Sequence, residues 1–154
     1  MTTTARCSLL VALLGLAAPL AASAQSCAAP IEVTYVGEYS SNTCNNSNQL
    51  PYLANGAISA PGSQDVFHMR VSDGTGFNLQ VQPPTGVPVS MFVCRNQCST
   101  YATCIAAVDS DGASLTSMVP LPPGAGEYYI VVQTAIAQCG SYNLVVSGLL
   151  RTQP

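Results

Sequence analysis

Seven cysteines stand in the 154-residue sequence, at Cys7, Cys27, Cys44, Cys94, Cys98, Cys104 and Cys139. Their number acquires meaning once the N-terminus is read. Residues 9–20 are almost wholly Leu, Val, Ala and Gly, are preceded by Arg6, and lead into Ala22-Ser23-Ala24. A basic start, a short apolar run and two small residues spaced for a peptidase pocket are the marks of a secretory signal peptide. The run is too short to cross about 30 Å of hydrocarbon. Cleavage is expected between Ala24 and Gln25. The residues before Cys27, Ala24-Gln25-Ser26, lack the Leu-small-small pattern of an acylated lipoprotein. Removing 24 of the 154 residues leaves 130 and takes Cys7 away, so that an odd cysteine count becomes six. An even count in an exported chain predicts three disulfides. Fifteen connectivities are open to six cysteines; a bridge from Cys27 to Cys44 would tie down the polar loop between them.

Charge is scarce in what remains. Three arginines face seven acids, a net −4, and the sequence has no lysine. No basic stripe can neutralise a run of phosphates, which excludes ordinary nucleic-acid binding. No later segment reaches membrane-spanning length, so the processed chain is expected to leave the membrane. Its apolar residues, 48% of the whole sequence, belong to a packed interior.

Residues 25–56 form a polar stretch rich in Asn and Ser, with one strand candidate at 31–36. Such side chains compete with backbone ladders and favour loops. Asn45-Asn46-Ser47 also fits the glycosylation sequon. From Gln64 onward the pattern becomes alternation of period two. Phe67, Met69 and Val71 alternate with Val66, His68 and Arg70, and Phe77, Leu79 and Val81 with Asn78, Gln80 and Gln82. Asp73-Gly74 between these runs is a hairpin signal. Further strands are expected at 87–95, 103–108, 126–135 and 141–147. Tyr128, Ile130 and Val132 share one face, as do Tyr142, Leu144 and Val146. No sustained helical period follows the leader. The expectation is an all-β fold, an antiparallel β-sandwich or jelly roll of about seven or eight strands stabilised by disulfides.

Three stretches carry a family likeness: Gln64-Asp65-Val66-Phe67-His68-Met69-Arg70-Val71, Asp109-Ser110-Asp111-Gly112, and 121–132 (Leu-Pro-Pro-Gly-Ala-Gly-Glu-Tyr-Tyr-Ile-Val-Val) continued by 140–148. They resemble the opening Asp-aromatic strand, the central acidic turn and the closing hairpin of the bacterial pre-peptidase C-terminal domain. That resemblance implies a secreted β-sandwich module, commonly an accessory to a catalytic domain. On this reading residues 1–24 are the leader, 25–56 an N-terminal extension and 57–150 the sandwich. In similar modules a bridge crosses a loop as Cys98 to Cys104 would here. Cys94 to Cys139 then follows by elimination, and the alternative joins Cys94 to Cys104.

Residues that could carry chemistry are few. His68 is the one histidine. A triad would have to use it, but no nucleophile elbow accompanies it, and its alternation with Phe67 and Met69 makes it a surface histidine of a strand. Asp109 and Asp111, with Ser114 and Asp73 as further oxygen donors, are hard ligands of the kind calcium accepts; a plain Asp-Gly turn is the better reading of them. Zinc on Cys94, Cys98, Cys104 and Cys139 is the lesser alternative to disulfides in an oxidising setting. Tyr35, Tyr39, Tyr52 and Tyr101 fall in loop-rich parts and are the candidate ligand-binding residues, because tyrosine pairs an apolar ring with a polar tip.

The sequence therefore points to a secreted or periplasmic, monomeric, non-catalytic binding or accessory module. It needs no cofactor unless calcium binds, and its partner is an extracellular protein or polysaccharide. A structural envelope or adhesion component is the second reading, and a small secreted hydrolase the third.

Overall fold

The computed structural model describes residues 26–72, 76–83, 86–110, 117–121 and 125–148, without the side chains of Ser110 and of 117–121. The leader and its cleavage point, Asp73-Gly74, Asp111 and Ser114 lie outside the described residues. In chain order the strands are β1 (Ile31–Val33), β2 (Gly37–Asn42), β3 (Tyr52–Leu53), β4 (Ile58–Ser59), β5 (Gln64–Val71), β6 (Phe77–Gln82), β7 (Val89–Arg95), β8 (Thr103–Ser110), β9 (Ser117–Leu121), β10 (Gly126–Thr134) and β11 (Ser141–Gly148). A 3₁₀ turn occupies Thr43–Asn45.

Two sheets face each other, a five-stranded one in the order β1-β5-β10-β7-β8 and a four-stranded one in the order β2-β11-β6-β9; β3 and β4 form a separate ribbon. All pairings are antiparallel except β1 with β5, which is parallel. The alternation read from the sequence builds the space between the sheets. Phe67, Met69, Tyr128 and Ile130 of one sheet meet Phe77, Leu79, Leu144 and Val146 of the other in one buried cluster. Phe77 and Tyr128 pack edge to face at 5.2 Å, a geometry that aromatic quadrupoles favour.

Three expectations are corrected. First, β5 and β6 are not a hairpin, nor are β10 and β11, since each pair divides between the two sheets. Two alternating strands bury their apolar faces as well face to face across a core as side by side, and β5 already has β1 and β10 on its flanks. Second, residues 25–56 are no appendage. They supply β1 to the larger sheet, β2 to the smaller one and β3 to the ribbon.

Third, the bridges are Cys27–Cys98, Cys44–Cys139 and Cys94–Cys104, so the pairings Cys27–Cys44, Cys98–Cys104 and Cys94–Cys139 do not form, and the zinc alternative falls with them. The register explains the outcome. Cys94 and Cys104 are direct partners across β7 and β8. Ser141 of β11 faces Asn42 of β2, which brings Cys139 and Cys44, each two residues away, to one end of the smaller sheet. Cys27 and Cys44 lead into and out of strands of different sheets and are held apart.

The outer face of the larger sheet is also covered. Val66, Phe92, Cys94 and Val131 point away from the main core and are buried under Leu50, Leu53, Ala60 and Ala102. Gln64, 1% exposed, fixes this cover: its Oε1 accepts from the Leu50 amide at 2.9 Å, and its Nε2 donates to the carbonyls of Leu50 at 2.8 Å and Ala60 at 3.0 Å. The segment thus brings the β3–β4 ribbon beside the loop that joins β7 to β8.

Candidate binding surface

The loop between β7 and β8, residues 96–102, is held at several points. Cys98 is bridged to Cys27, and Cys94–Cys104 closes its base. Asn96 takes a left-handed backbone, φ 65°, and donates its amide to the Glu127 carbonyl at 2.8 Å. The Ser99 hydroxyl accepts from the Tyr101 amide at 3.2 Å and from Gln97 Nε2 at 2.9 Å. The Thr100 carbonyl accepts from the Asn55 amide at 2.9 Å, joining the loop to the turn of the β3–β4 ribbon. That turn passes through Ala54, Asn55 and Gly56 at positive φ, and the fully buried Leu53 anchors it.

Tyr101 stands out from this frame with 73% of its surface exposed, and Tyr52 with 54%. A groove of about 260 Å³ runs between them, lined also by Asn55, Gly56 and Thr100. A second groove, about 520 Å³, also borders Tyr101 and is lined by Arg95, Asn96, Gln97, Thr103 and Ile105. Arg95 is held in place, since its Nη2 donates to the Ala125 carbonyl at 2.6 Å and its guanidinium lies 5.7 Å from the centre of the Tyr128 ring. The result is an exposed aromatic on a held loop, bordering two grooves, with an aliphatic side chain and a cation lining one of them. Arg95, Asn55 and Ile105 went unread in the sequence; a tyrosine enclosed between Cys98 and Cys104 was the available signal.

The other tyrosine candidates form a separate pair. Tyr35 and Tyr39 stack at 4.9 Å. The Tyr39 hydroxyl accepts from the amides of Thr34 at 3.2 Å and Tyr35 at 3.1 Å, and donates to the Tyr35 carbonyl at 2.8 Å. Tyr39 thereby organises its own loop and meets Phe67 edge-on at 6.4 Å.

His68 is not a surface histidine. It is 5% exposed although it points away from the main core. The strands on either side roof it: its Nδ1 lies 3.0 Å from both carboxylate oxygens of Glu32 on β1, its ring stacks at 4.8 Å on Tyr129 of β10, and its Nε2 lies 4.0 Å from Glu127. Arg70 Nε donates to the same Glu127 at 3.2 Å. Burial, and next the charge of Glu127, push the Tyr129 hydroxyl above its ordinary range. Among the described residues, neither ring nitrogen of His68 meets a serine hydroxyl. Asp109 is exposed on β8, while Asp111 lies outside the described residues. Among the described residues no group of three or more His, Cys, Asp or Glu side chains is placed to hold a metal ion.

No family model and no curated protein matches the chain. Solved structures do. The pre-peptidase C-terminal domain of a collagenase from Bacillus anthracis superposes with a TM-score of 0.52 at 14% identity, over 76% of this chain and 93% of that one. PliG of Aeromonas hydrophila, a periplasmic inhibitor of g-type lysozyme, matches with a TM-score of 0.46 at 15% identity, over 77% and 95% of the two chains. CorA, a surface-associated copper-binding protein of Methylomicrobium album BG8, matches with a TM-score of 0.49 at 9% identity, over 77% and 97%. Sandwich, register and superposition agree on one conclusion: the chain has the fold of the pre-peptidase C-terminal domain.

Proposed function

We propose that the chain is an exported, non-catalytic binding module that grips an extended segment of an extracellular protein at the Tyr101 end of the sandwich. The observation that carries this reading is Tyr101 itself, 73% exposed on a loop tied by disulfides. A large ring left in water on a rigid support is costly to maintain and cheap to bind, because the backbone beneath it is already held and a tyrosine side chain has only two torsions to order. Tyrosine and arginine around a groove are the residue types that dominate protein recognition. Exposed Ile105 suits an apolar side chain better than a polyol. The leader and three disulfides support an extracytoplasmic setting.

Selection of a phage-displayed random peptide library on the immobilised protein tests the proposal. Enriched peptides are expected to bind Tyr101→Ala at least tenfold more weakly than the unaltered protein. Failure to enrich any peptide, or equal binding by the variant, would overturn it.

A further inference from the structure

Arg95 ends β7 and lines the groove of about 520 Å³ that borders Tyr101. Glu32, Glu38, Asp65, Asp109 and Glu127 are the acids of the described residues. Among these residues Glu127 pairs with Arg70 and Glu32 with His68, and no carboxylate pairs with Arg95. A guanidinium carries five N–H donors. Among the described residues Arg95 uses one of them: Nη2 donates to the Ala125 carbonyl at 2.6 Å, while Nε is buried without a hydrogen-bond partner. A buried donor left unpaired is rare enough in a folded protein to need a reason. The second hydrogen of Nη2 and both of those on Nη1 remain for a ligand.

The side chain is nonetheless held. Its guanidinium lies 5.7 Å from the centre of the ring of Tyr128, its partner in the register of β10 and β7. Gly126 makes room for it, since a Cβ there would stand 3.2 Å from Nε and 3.4 Å from Nη2. Ordering a long cationic side chain costs rotamer freedom, and a cation ordered beforehand loses less of it on meeting a partner.

The strand beside Arg95 is irregular in a way that serves the same groove. Cys94 faces Cys104 and Val93 faces Ala106, so Ile105 is the extra residue of a β-bulge. Bulges re-aim side chains next to functional sites. This one leaves Ile105 40% exposed on the groove that Arg95 and Tyr101 line. An ion pair formed beside an aromatic ring and an aliphatic side chain is screened less than one in open water.

We propose, on the reading of the Tyr101 end as a peptide-binding surface, that Arg95 determines its specificity by pairing with the carboxylate of a single Asp or Glu in the bound segment. Arginine matches a carboxylate with two parallel hydrogen bonds. One acid, rather than a run of them, is the expected partner. The processed chain sets three arginines against seven acids, so its overall field repels a polyanionic segment.

Peptides selected on the immobilised protein test the proposal. Those that depend on Tyr101 are expected to share one Asp or Glu. With that residue changed to Asn or Gln, the synthetic peptide is expected to bind the unaltered protein at least tenfold more weakly in isothermal titration calorimetry. Arg95→Gln is expected to bind the acidic and the neutral peptide alike. The first comparison uses the unaltered protein and so needs no variant to fold. Peptides that depend on Tyr101 yet bind equally well once their acid is neutralised would overturn the role of Arg95 and leave the peptide-binding surface standing. An Arg95→Gln protein that separates the two peptides as strongly as the unaltered one would do the same. Failure to enrich any peptide would overturn both.

Discussion

The Tyr142 hydroxyl donates a hydrogen bond to Asp65 Oδ2 at 2.6 Å, joining β11 of the smaller sheet to β5 of the larger. Both residues are buried. Asn46 Nδ2 donates to the other oxygen of the same carboxyl group, so the polar N-terminal segment is tied to the core at this point. Asp65 begins the Asp-aromatic strand that carries part of the family likeness, and here its side chain links three parts of the chain. Tyr142→Phe keeps the ring and removes one donor from a buried acceptor. A loss of about 1–3 kcal/mol is expected in urea unfolding; a loss within a few tenths would show that the Asn46 contact alone satisfies Asp65.

The same pair sets a response to alkali. Burial raises the Tyr142 hydroxyl well above a tyrosine's ordinary range, and the neighbouring Asp65 charge raises it further. The unfolded chain titrates near pH 10. A group whose folded pKa is raised contributes its full stability below the unfolded value and loses it as pH climbs toward the folded one. Stability is therefore expected to fall from about pH 10 upward, and Tyr129, raised by burial and Glu127, acts in the same direction. Urea midpoints at pH 8 and pH 10.5 should differ more for the unaltered protein than for Tyr142→Phe. Equal differences would remove Tyr142 from the account.

The three bridges close loops of very different length. Cys44 and Cys139 are separated by 95 residues, Cys94 and Cys104 by 10. Restriction of the unfolded chain then gives about 4–5 kcal/mol for the first and about 3 kcal/mol for the second. Cys44→Ala with Cys139→Ala is expected to cost more stability in denaturant titration than Cys94→Ala with Cys104→Ala. The reverse order would mean that local packing around the buried Cys94, rather than loop closure, governs the contribution.

The strand faces were legible because a half-buried strand writes its burial in alternate residues: Phe67, Met69, Ile130 and Leu144 sit where the period of two puts them. Long-range pairing was not. Alternation does not say which of two sheets a strand joins, so the crossovers after β5 and β10 were read as hairpins. β2 was hidden because its inward positions are Gly37, Tyr39 and Ser41, whose composition reads as loop. Val66, Phe92 and Val131 look outward by period, and their burial depends on a cover supplied from residues 50–60. His68 was misread for a related reason, since its roof comes from Glu32 on a strand 36 residues away. Cysteine pairing followed from register, which the sequence does not spell out. Tyr52 and Tyr101 stand in the sequence beside Tyr35 and Tyr39 as one group of loop tyrosines, and only the fold sets these two on one groove and the other two apart.

Amide chemical-shift mapping by NMR tests the central claim most directly, with the exported protein titrated by a peptide selected on it. The account predicts that the shifts concentrate on Asn55, Gly56 and the segment from Asn96 to Ile105, on both sides of Tyr101, with β6 and β11 unperturbed. Shifts confined to β6 and β11, or scattered over the sandwich with none in the 96–105 segment, would contradict it.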